Sequence, residues 1–159
     1  MLVAVLFENL LSEQFPVDSE VIYAGSGRSY RMDFGGLADG WEVWNVEERK
    51  AVLTYRPGVF DSDEYPAPCL PTIYVTKGKR GRRPGRDVPG PDDPWYVTLY
   101  LEPDVSHDQV QYDSREAAVD GAVDLAGRFD RGDVDYRSLY QVPRPDYFEK
   151  LDELTGRTG

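Results

Sequence analysis

The fold is decided by two segments of alternating polarity, TIYVTK at residues 72–77 and WYVTLYLE at residues 95–102. Side chains on a β-strand point to opposite faces in turn, so each segment predicts a strand with one apolar face. The apolar positions are Ile73, Val75, Trp95, Val97, Leu99 and Leu101. The alternate positions, which form a tyrosine–threonine face if the strands pair, are Thr72, Tyr74, Thr76, Tyr96, Thr98 and Tyr100. Such a face packs under other elements or meets water in most sheets.

Further strand signals precede these two segments. Residues 41–46 and 51–56 are rich in strand-forming side chains and are joined by Glu47-Glu48-Arg49-Lys50, which predicts a hairpin. Residues 29–34 alternate and predict a half-buried strand, while residues 24–29 predict a tight turn between two strands. Residues 57–71 are proline-rich and predict an irregular connection, whereas residues 2–11 fit either a helix or a buried strand.

The C-terminal part of the chain carries helical patterns. Asp113 followed by Glu116 resembles a capping box at a helix start. The apolar stripe of this helix consists of Ala118, Ala122, Leu125 and Phe129. A second, acidic stripe on another side consists of Glu116, Asp120 and Asp124. A short last helix is predicted to begin at Pro145 and to end at Gly156.

Strands followed by helices predict an α+β fold. We expect an antiparallel sheet of five or six strands, an amphipathic C-terminal helix packed on one face, and a short terminal helix. A length of 159 residues with 40% hydrophobic side chains predicts a single domain over residues 1–159.

The composition is strongly acidic, with 29 acidic and 18 basic residues and a net charge of −11. Such a charge repels itself in dilute buffer and is screened in strong salt, so it fits a salt-rich cytoplasm. The excess of 14 arginines over 4 lysines fits the same interpretation, although a GC-rich genome also produces it. The apolar residues 1–7 lack the features of a signal peptide, and no segment reaches membrane-spanning length, so we predict a cytoplasmic protein without membrane contact.

The single cysteine and single histidine limit the possible chemistry. They exclude an internal disulfide framework, a cysteine-rich zinc site and catalysis by several imidazoles. We predict no catalytic residues, no metal and no cofactor. The glycine-rich residues 24–29 lack the lysine of a phosphate loop, Ser106-His107-Asp108 are adjacent in sequence only, and the carboxylates at 61–64 and 130–135 match no calcium loop.

One segment departs from this composition. Residues 77–86 read KGKRGRRPGR and hold six positive charges and no negative charge, while the remaining 12 basic and 29 acidic residues carry a net charge of −17. The segment opens a connection over residues 78–94 that is rich in glycine and proline and is predicted to be flexible.

The charge of this basic loop, residues 77–86, suits phosphate, and aromatic rings on the adjoining strands suit unpaired bases. The candidate contacts for RNA or a ribonucleoprotein are Lys77, Lys79, Arg80, Arg82, Arg83, Arg86, Tyr74, Tyr96 and Tyr100. An acidic protein partner, or a loop that is merely solvated, explains the same charges. The alternatives from other classes are a small enzyme built from scattered carboxylates and tyrosines, and a subunit that completes its sheet against a partner.

The segment GRFDRGD at residues 127–133, together with the acidic composition, resembles the small uncharacterised proteins of halophilic archaea. This resemblance implies a salt-adapted cytoplasmic protein. It implies no activity and no site residues.

Overall fold

A computed structural model of the chain describes residues 24–25, 28–29, 32–60, 70–79, 89–142 and 144–157. The predictions for residues 2–11, for the carboxylates at 61–64 and for the centre of the basic loop lie outside these ranges.

Within the described ranges the chain forms eight strands, three α-helices and one 3-10 turn. The strands are β1 (Ala24–Gly25), β2 (Arg28–Ser29), β3 (Trp41–Glu47), β4 (Lys50–Tyr55), β5 (Thr72–Lys77), β6 (Trp95–Glu102), β7 (Val105–Ser106) and β8 (Val110–Tyr112). The helices are α1 (Pro57–Phe60), α2 (Arg115–Asp130) and α3 (Pro145–Thr155), and the 3-10 turn spans Arg137–Leu139.

Six strands form one antiparallel sheet in the order β3-β4-β5-β6-β7, and β8 also pairs with β6. Ile73 lies opposite Leu99 and Val75 opposite Val97, so the predicted apolar face is continuous across β5 and β6. Strands β1 and β2 form a separate ribbon around residues 26–27, as the glycine-rich sequence predicts. The α+β fold with a sheet of five or six strands is therefore confirmed.

Strand β3 contains a bulge at Trp44. Val43 pairs with Leu53 and Asn45 pairs with Val52, which leaves Trp44 as an extra residue between two ladder positions. The bulge returns Val46 to the buried face, which strict alternation from Trp41 would have turned outward. The connecting turn of the hairpin is shorter than predicted, because only residues 48–49 lie outside β3 and β4.

The core lies between the apolar face of the sheet and the C-terminal helices. The predicted apolar stripe of α2 is buried, and α2 packs on β5 and β6. At the end of α2, the rings of Trp41, Tyr55 and Phe129 pack with centroids 5.0–5.5 Å apart. In the middle of α2, Gly121 lies so close to Tyr112 that a Cβ there would overlap the tyrosine hydroxyl and ring.

The start of α2 differs by one residue from the prediction. The cap is Ser114, whose Oγ accepts a hydrogen bond from the Ala117 N–H at 3.1 Å, so Asp113 does not form the expected capping box. Both residues are good cap types, and only the backbone path decides between them. Helix α3 begins at Pro145 and ends at Gly156, which adopts a left-handed conformation with φ 69°, as predicted.

Two other sequence predictions need correction. Residues 32–34 are not in a strand, although burial alternates there, with Met32 and Phe34 buried and Asp33 exposed. An irregular segment that buries two apolar side chains shows the same alternation as a strand when the segment is only three residues long. In the connection predicted to be irregular, residues 57–60 form one helical turn, with Pro57 in its favoured first position.

The hydroxyl of Tyr55 joins three elements at one end of the domain. It lies 3.2 Å from Asp130 Oδ1 and 3.4 Å from the Leu154 carbonyl oxygen, and it accepts a hydrogen bond from Arg56 Nε at 3.3 Å. Burial raises the pKa of Tyr55, and Asp130 raises it further, while the hydrogen bond from Arg56 lowers it. This hydroxyl therefore stays protonated and ties β4 to the C-terminal ends of α2 and α3.

Candidate nucleic-acid interface

Beyond Lys77, the basic loop belongs to the connection of residues 78–94, which joins β5 to β6, and the two ends of this connection are tied together. The Gly78 N–H donates to the Pro94 carbonyl oxygen at 2.8 Å, and Lys77 Nζ donates to the Pro91 carbonyl oxygen at 2.8 Å. Gly78 has a φ of 73°, which favours glycine, so the chain turns sharply away from β5 there. The two strands thus fix the position of the loop base.

The basic residues of the loop divide between anchored and exposed positions. Lys77 is half-buried and is engaged with Pro91, whereas Lys79 is exposed. The remaining candidates lie outside the described residues; these are Arg80, Arg82, Arg83 and Arg86. Lys77 therefore acts as part of the loop base, and Lys79 is the first described side chain beyond it.

Carboxylates surround the base of the loop. The Lys77 N–H donates to the Arg49 carbonyl oxygen at 2.9 Å, which places the β3–β4 turn beside the base. Glu47 at the end of β3 and Glu48 in that turn are exposed, and so are Asp92 and Asp93 shortly before β6. A polyanion approaching the base meets the carboxylates of Asp92 and Asp93 on one side, while Arg49 and Lys50 offset Glu47 and Glu48 on the other.

The tyrosine–threonine face forms as predicted, with Tyr74 opposite Thr98 and Thr76 opposite Tyr96. It is not an open platform, because Tyr96 is only 8% exposed and its hydroxyl donates to Gln111 Oε1 at 3.3 Å. Tyr74 and Tyr100 are half-buried and pack edge to face with ring centroids 5.5 Å apart.

The basic and aromatic candidates do not share one face of the sheet. Lys77 pairs with Trp95 and continues the alternation of Ile73 and Val75, so it lies on the helix-bearing side. The tyrosines lie on the opposite side. The sequence TIYVTK alone predicts this separation, because residues 74 and 77 are three positions apart on one strand and therefore point to opposite faces.

The other chemistry-bearing patterns have structural partners. Asp133 pairs with Arg131 at 3.2 Å, and Asp135 pairs with Arg157 at 3.4 Å. His107 lies in the connection after β7, where its N–H donates to the Leu99 carbonyl oxygen at 2.9 Å. Among the described residues, no group of three histidine, cysteine or acidic side chains is placed to hold a metal ion.

Two clefts are lined by described residues. One of about 160 Å³ lies beside the first turn of α2 and is lined in part by Met32, Asp33 and Arg115. The other, of about 390 Å³, lies between the β6–β7 turn and the segment before α3. Within it Arg144 Nη1 contacts Glu102 Oε1 at 2.6 Å, and Asp104 also lines the cleft.

Sequence reasoning missed two features. Trp44 is 61% exposed, and the interruption of alternation within WEVWNVE was the available signal. The fully buried Tyr136 donates its hydroxyl to Asp152 Oδ1, and Arg137 contacts the other oxygen of this carboxylate. Burial and the Asp152 hydrogen bond raise the pKa of Tyr136 well above its ordinary value.

The sequence model of DUF5820, a family of unknown function, matches residues 40–156. This range begins just before β3 and includes the whole six-stranded sheet with α2 and α3. No curated protein and no solved structure matches the chain. No helix in the described ranges is long and apolar enough to cross a membrane. The halophilic origin indicated by the composition stays a prediction.

Proposed function

The chain belongs to the DUF5820 family, a membership that carries no activity with it, and we propose that it is a non-catalytic module whose basic loop binds single-stranded RNA, free or within a ribonucleoprotein. The observation that carries this proposal is the separation of charge. Six positive charges lie in residues 77–86, and a net charge of −17 lies on the rest of the chain.

The described loop base supports this proposal. The hydrogen bonds of Lys77 and Gly78 hold the two arms together, so the central arginines are presented from a fixed point. The exposed carboxylates of Asp92 and Asp93 beside the base repel phosphate from the sheet end. Contact is therefore restricted to the residues beyond Gly78, where arginine forks bind phosphate oxygens and stack on bases.

Tyr74 and Tyr100 have a secondary role in this proposal. With a rise of about 3.4 Å per residue, Tyr74 lies about 10 Å from Lys77, and Tyr100 lies about 17 Å from Trp95. Both rings keep partial exposure on the face opposite Lys77. An RNA strand reaches them only after passing over the sheet end. Tyr96 is too buried to stack on a base without rearrangement.

The test is fluorescence anisotropy of a labelled single-stranded RNA and a duplex DNA, titrated with the full chain in KCl from about 0.05 M to about 2 M. The loop variant retains Lys77, because its side chain ties the loop base. It carries glutamine at Lys79, Arg80, Arg82, Arg83 and Arg86. The control variant carries glutamine at five basic positions outside the loop and its base, Arg115, Arg128, Arg131, Arg144 and Lys150. Both variants change the net charge from −11 to −16.

We expect the wild type and the control to bind the RNA with affinities within about threefold of each other. The loop variant should bind at least about tenfold more weakly. If all five loop charges contact phosphates, the logarithm of the binding constant should fall with the logarithm of salt with a slope of about −3.5. Equal binding by both variants, or no binding by the wild type, would contradict the proposal. Preference for duplex DNA would contradict the single-strand assignment.

A further inference from the structure

Strand β3 contains one residue that its pairing does not use. The segment WEVWNVE at residues 41–47 places Trp41, Val43 and Val46 toward the helices. If Trp44 is removed from this string, the remainder alternates without interruption between apolar and polar residues. The bulge therefore accommodates Trp44 while leaving the core positions of the strand unchanged.

The inserted side chain is presented to solvent. Trp44 is 61% exposed, whereas Trp41 and Trp95 are 4% and 7% exposed. Exposed apolar surface is unfavourable in water, and bulges next to binding sites serve to re-aim side chains. Tryptophan is also one of the residue types enriched among those that dominate the energy of protein interfaces.

Strand β3 is the outermost strand of the described sheet on its side. In the described ranges, no strand pairs with its outer edge. Its seven residues are long enough to accept an added strand from another chain. A bulge limits indiscriminate pairing along an edge, so binding there depends strongly on the side chains of the partner.

The charges near Trp44 indicate the chemistry of the partner. Four exposed carboxylates lie on β3 or next to its ends, at Asp39, Glu42, Glu47 and Glu48. Glu47 already accepts a hydrogen bond from Asn45 and contacts Lys50 at 3.5 Å. These four carboxylates outnumber by one the three cations at the two ends of the hairpin, Arg49, Lys50 and Arg56, and the chain outside the basic loop carries a net charge of −17, which disfavours RNA and a second acidic copy of this chain at this edge.

We propose that the outer edge of β3 binds an extended, basic segment of another protein, with Trp44 as the apolar anchor. Main-chain hydrogen bonds align the segment, alternate lysine or arginine side chains meet the carboxylates, and an apolar side chain packs on the indole ring. This surface lies on a different strand from the basic loop, although its turn end adjoins the loop base. The proposal does not depend on the proposed RNA binding.

The probe is a fluorescein-labelled peptide of about ten residues in which lysine and valine alternate, titrated with the full chain and followed by anisotropy. A peptide of alternating glutamate and valine tests charge, and a lysine–valine peptide interrupted by proline tests strand pairing. The protein variants are Trp44→Ala, a deletion of Trp44, and the matched control Val142→Ala. Val142 is 72% exposed and lies near α3, away from β3.

We expect the lysine–valine peptide to bind the wild type and Val142→Ala equally. Trp44→Ala and the deletion should each weaken binding at least about tenfold. Thermal unfolding should show that both Trp44 variants fold, because the side chain is exposed and the core pattern of β3 survives the deletion. The glutamate and proline peptides should not compete with the lysine–valine peptide.

Several outcomes would overturn this inference. They are failure of the lysine–valine peptide to bind, equal binding by Trp44→Ala, and concentration-dependent dimerisation that is lost in Trp44→Ala. Loss of RNA affinity in Trp44→Ala with unchanged peptide binding would reassign the indole to base stacking. The variant that replaces five basic residues of the loop should bind the peptide at least as tightly as the wild type, because it removes positive charge beside the turn end of β3. This outcome separates the test from that of RNA binding.

Discussion

Tyr136 shows how a single buried hydroxyl makes stability depend on pH. Its hydroxyl donates to Asp152, and the guanidinium of Arg157 lies 5.5 Å from the centre of its ring. Burial and Asp152 together raise its pKa from the ordinary value of 10.0. Between that value and the raised pKa, the unfolded chain loses the tyrosine proton while the folded chain keeps it. The contribution of Tyr136 to folding stability is therefore fully present below about pH 10 and is lost as the pH rises further.

We predict that Tyr136→Phe lowers the free energy of unfolding by about 1 kcal/mol at pH 8, because a buried hydrogen bond is lost while Arg137 still holds Asp152. Above pH 10 the difference between wild type and variant should shrink, since only the wild type carries the ionisable group at this position. Urea unfolding at a series of pH values measures both effects. A difference that grows with alkaline pH would contradict this assignment.

Helix α2 offers two glycines in opposite surroundings. A Cβ at Gly121 would overlap the ring of Tyr112 on β8, whereas a Cβ at Gly127 would meet only the end of the Arg131 side chain at 3.2 Å. The first glycine permits close packing between α2 and the sheet. The second carries the ordinary entropic cost of glycine within a helix.

We predict that Gly121→Ala destabilises the fold by about 1–3 kcal/mol, because the Tyr112 ring must move away from the helix. Gly127→Ala, the control on the same helix, should be neutral or should stabilise by up to about 1 kcal/mol. Thermal unfolding of the two variants beside the wild type decides this. Equal destabilisation by both substitutions would show that the approach of Tyr112 does not limit packing.

The elements also show which sequence signals were sufficient. Strands β5 and β6 have the predicted bounds, because strict alternation of apolar and polar residues permits only one pairing register that buries the apolar face. Helix α3 also has its predicted bounds, because Pro145 and Gly156 mark its ends. The cap of α2 differed because two adjacent residues have similar cap propensity. The bulge at Trp44 was not predicted, because a bulge is defined by the register of a strand against its partner. The sequence of β3 alone does not reveal that register.

The candidate site was less predictable than the fold. Composition alone identified the cluster of charge in the basic loop. The burial of Tyr96 depends on packing by distant segments, and the engagement of Lys77 with Pro91 depends on the return path of the loop. Neither is encoded in local alternation. The RNA contacts therefore stay a prediction, while the placement of the loop base is a structural result.

The net charge of −11 affects the stability of the whole folded molecule. The acidic stripe of α2 is exposed as the sequence predicts, and Asp124 pairs with Arg128 at 3.0 Å. Repulsion among exposed carboxylates weakens as salt shortens the screening length from about 10 Å at 0.1 M to about 3 Å at 1 M. The compact state should gain most from this screening, because folding brings the charges closer together.

We predict that the free energy of unfolding rises by at least about 1 kcal/mol between 0.1 M and 2 M KCl, which corresponds to about 2–4 °C in Tm. A variant with Glu116→Gln and Asp120→Asn, which retains the Asp124–Arg128 pair, should show a smaller rise. Thermal unfolding across the salt series measures both proteins. Stability that is flat or falls with salt would contradict the salt-adapted interpretation of the composition.

The Tyr55 hydroxyl also constrains when folding can finish during synthesis. Its partners Asp130 and Leu154 lie 75 and 99 residues further along the chain. The β4 strand leaves the ribosome long before either of them, so a nascent chain reaching only to α2 would bury this tyrosine without its full set of partners. Long-range contacts of this kind delay completion of the fold. Closure of this end of the fold therefore waits until α3 has emerged.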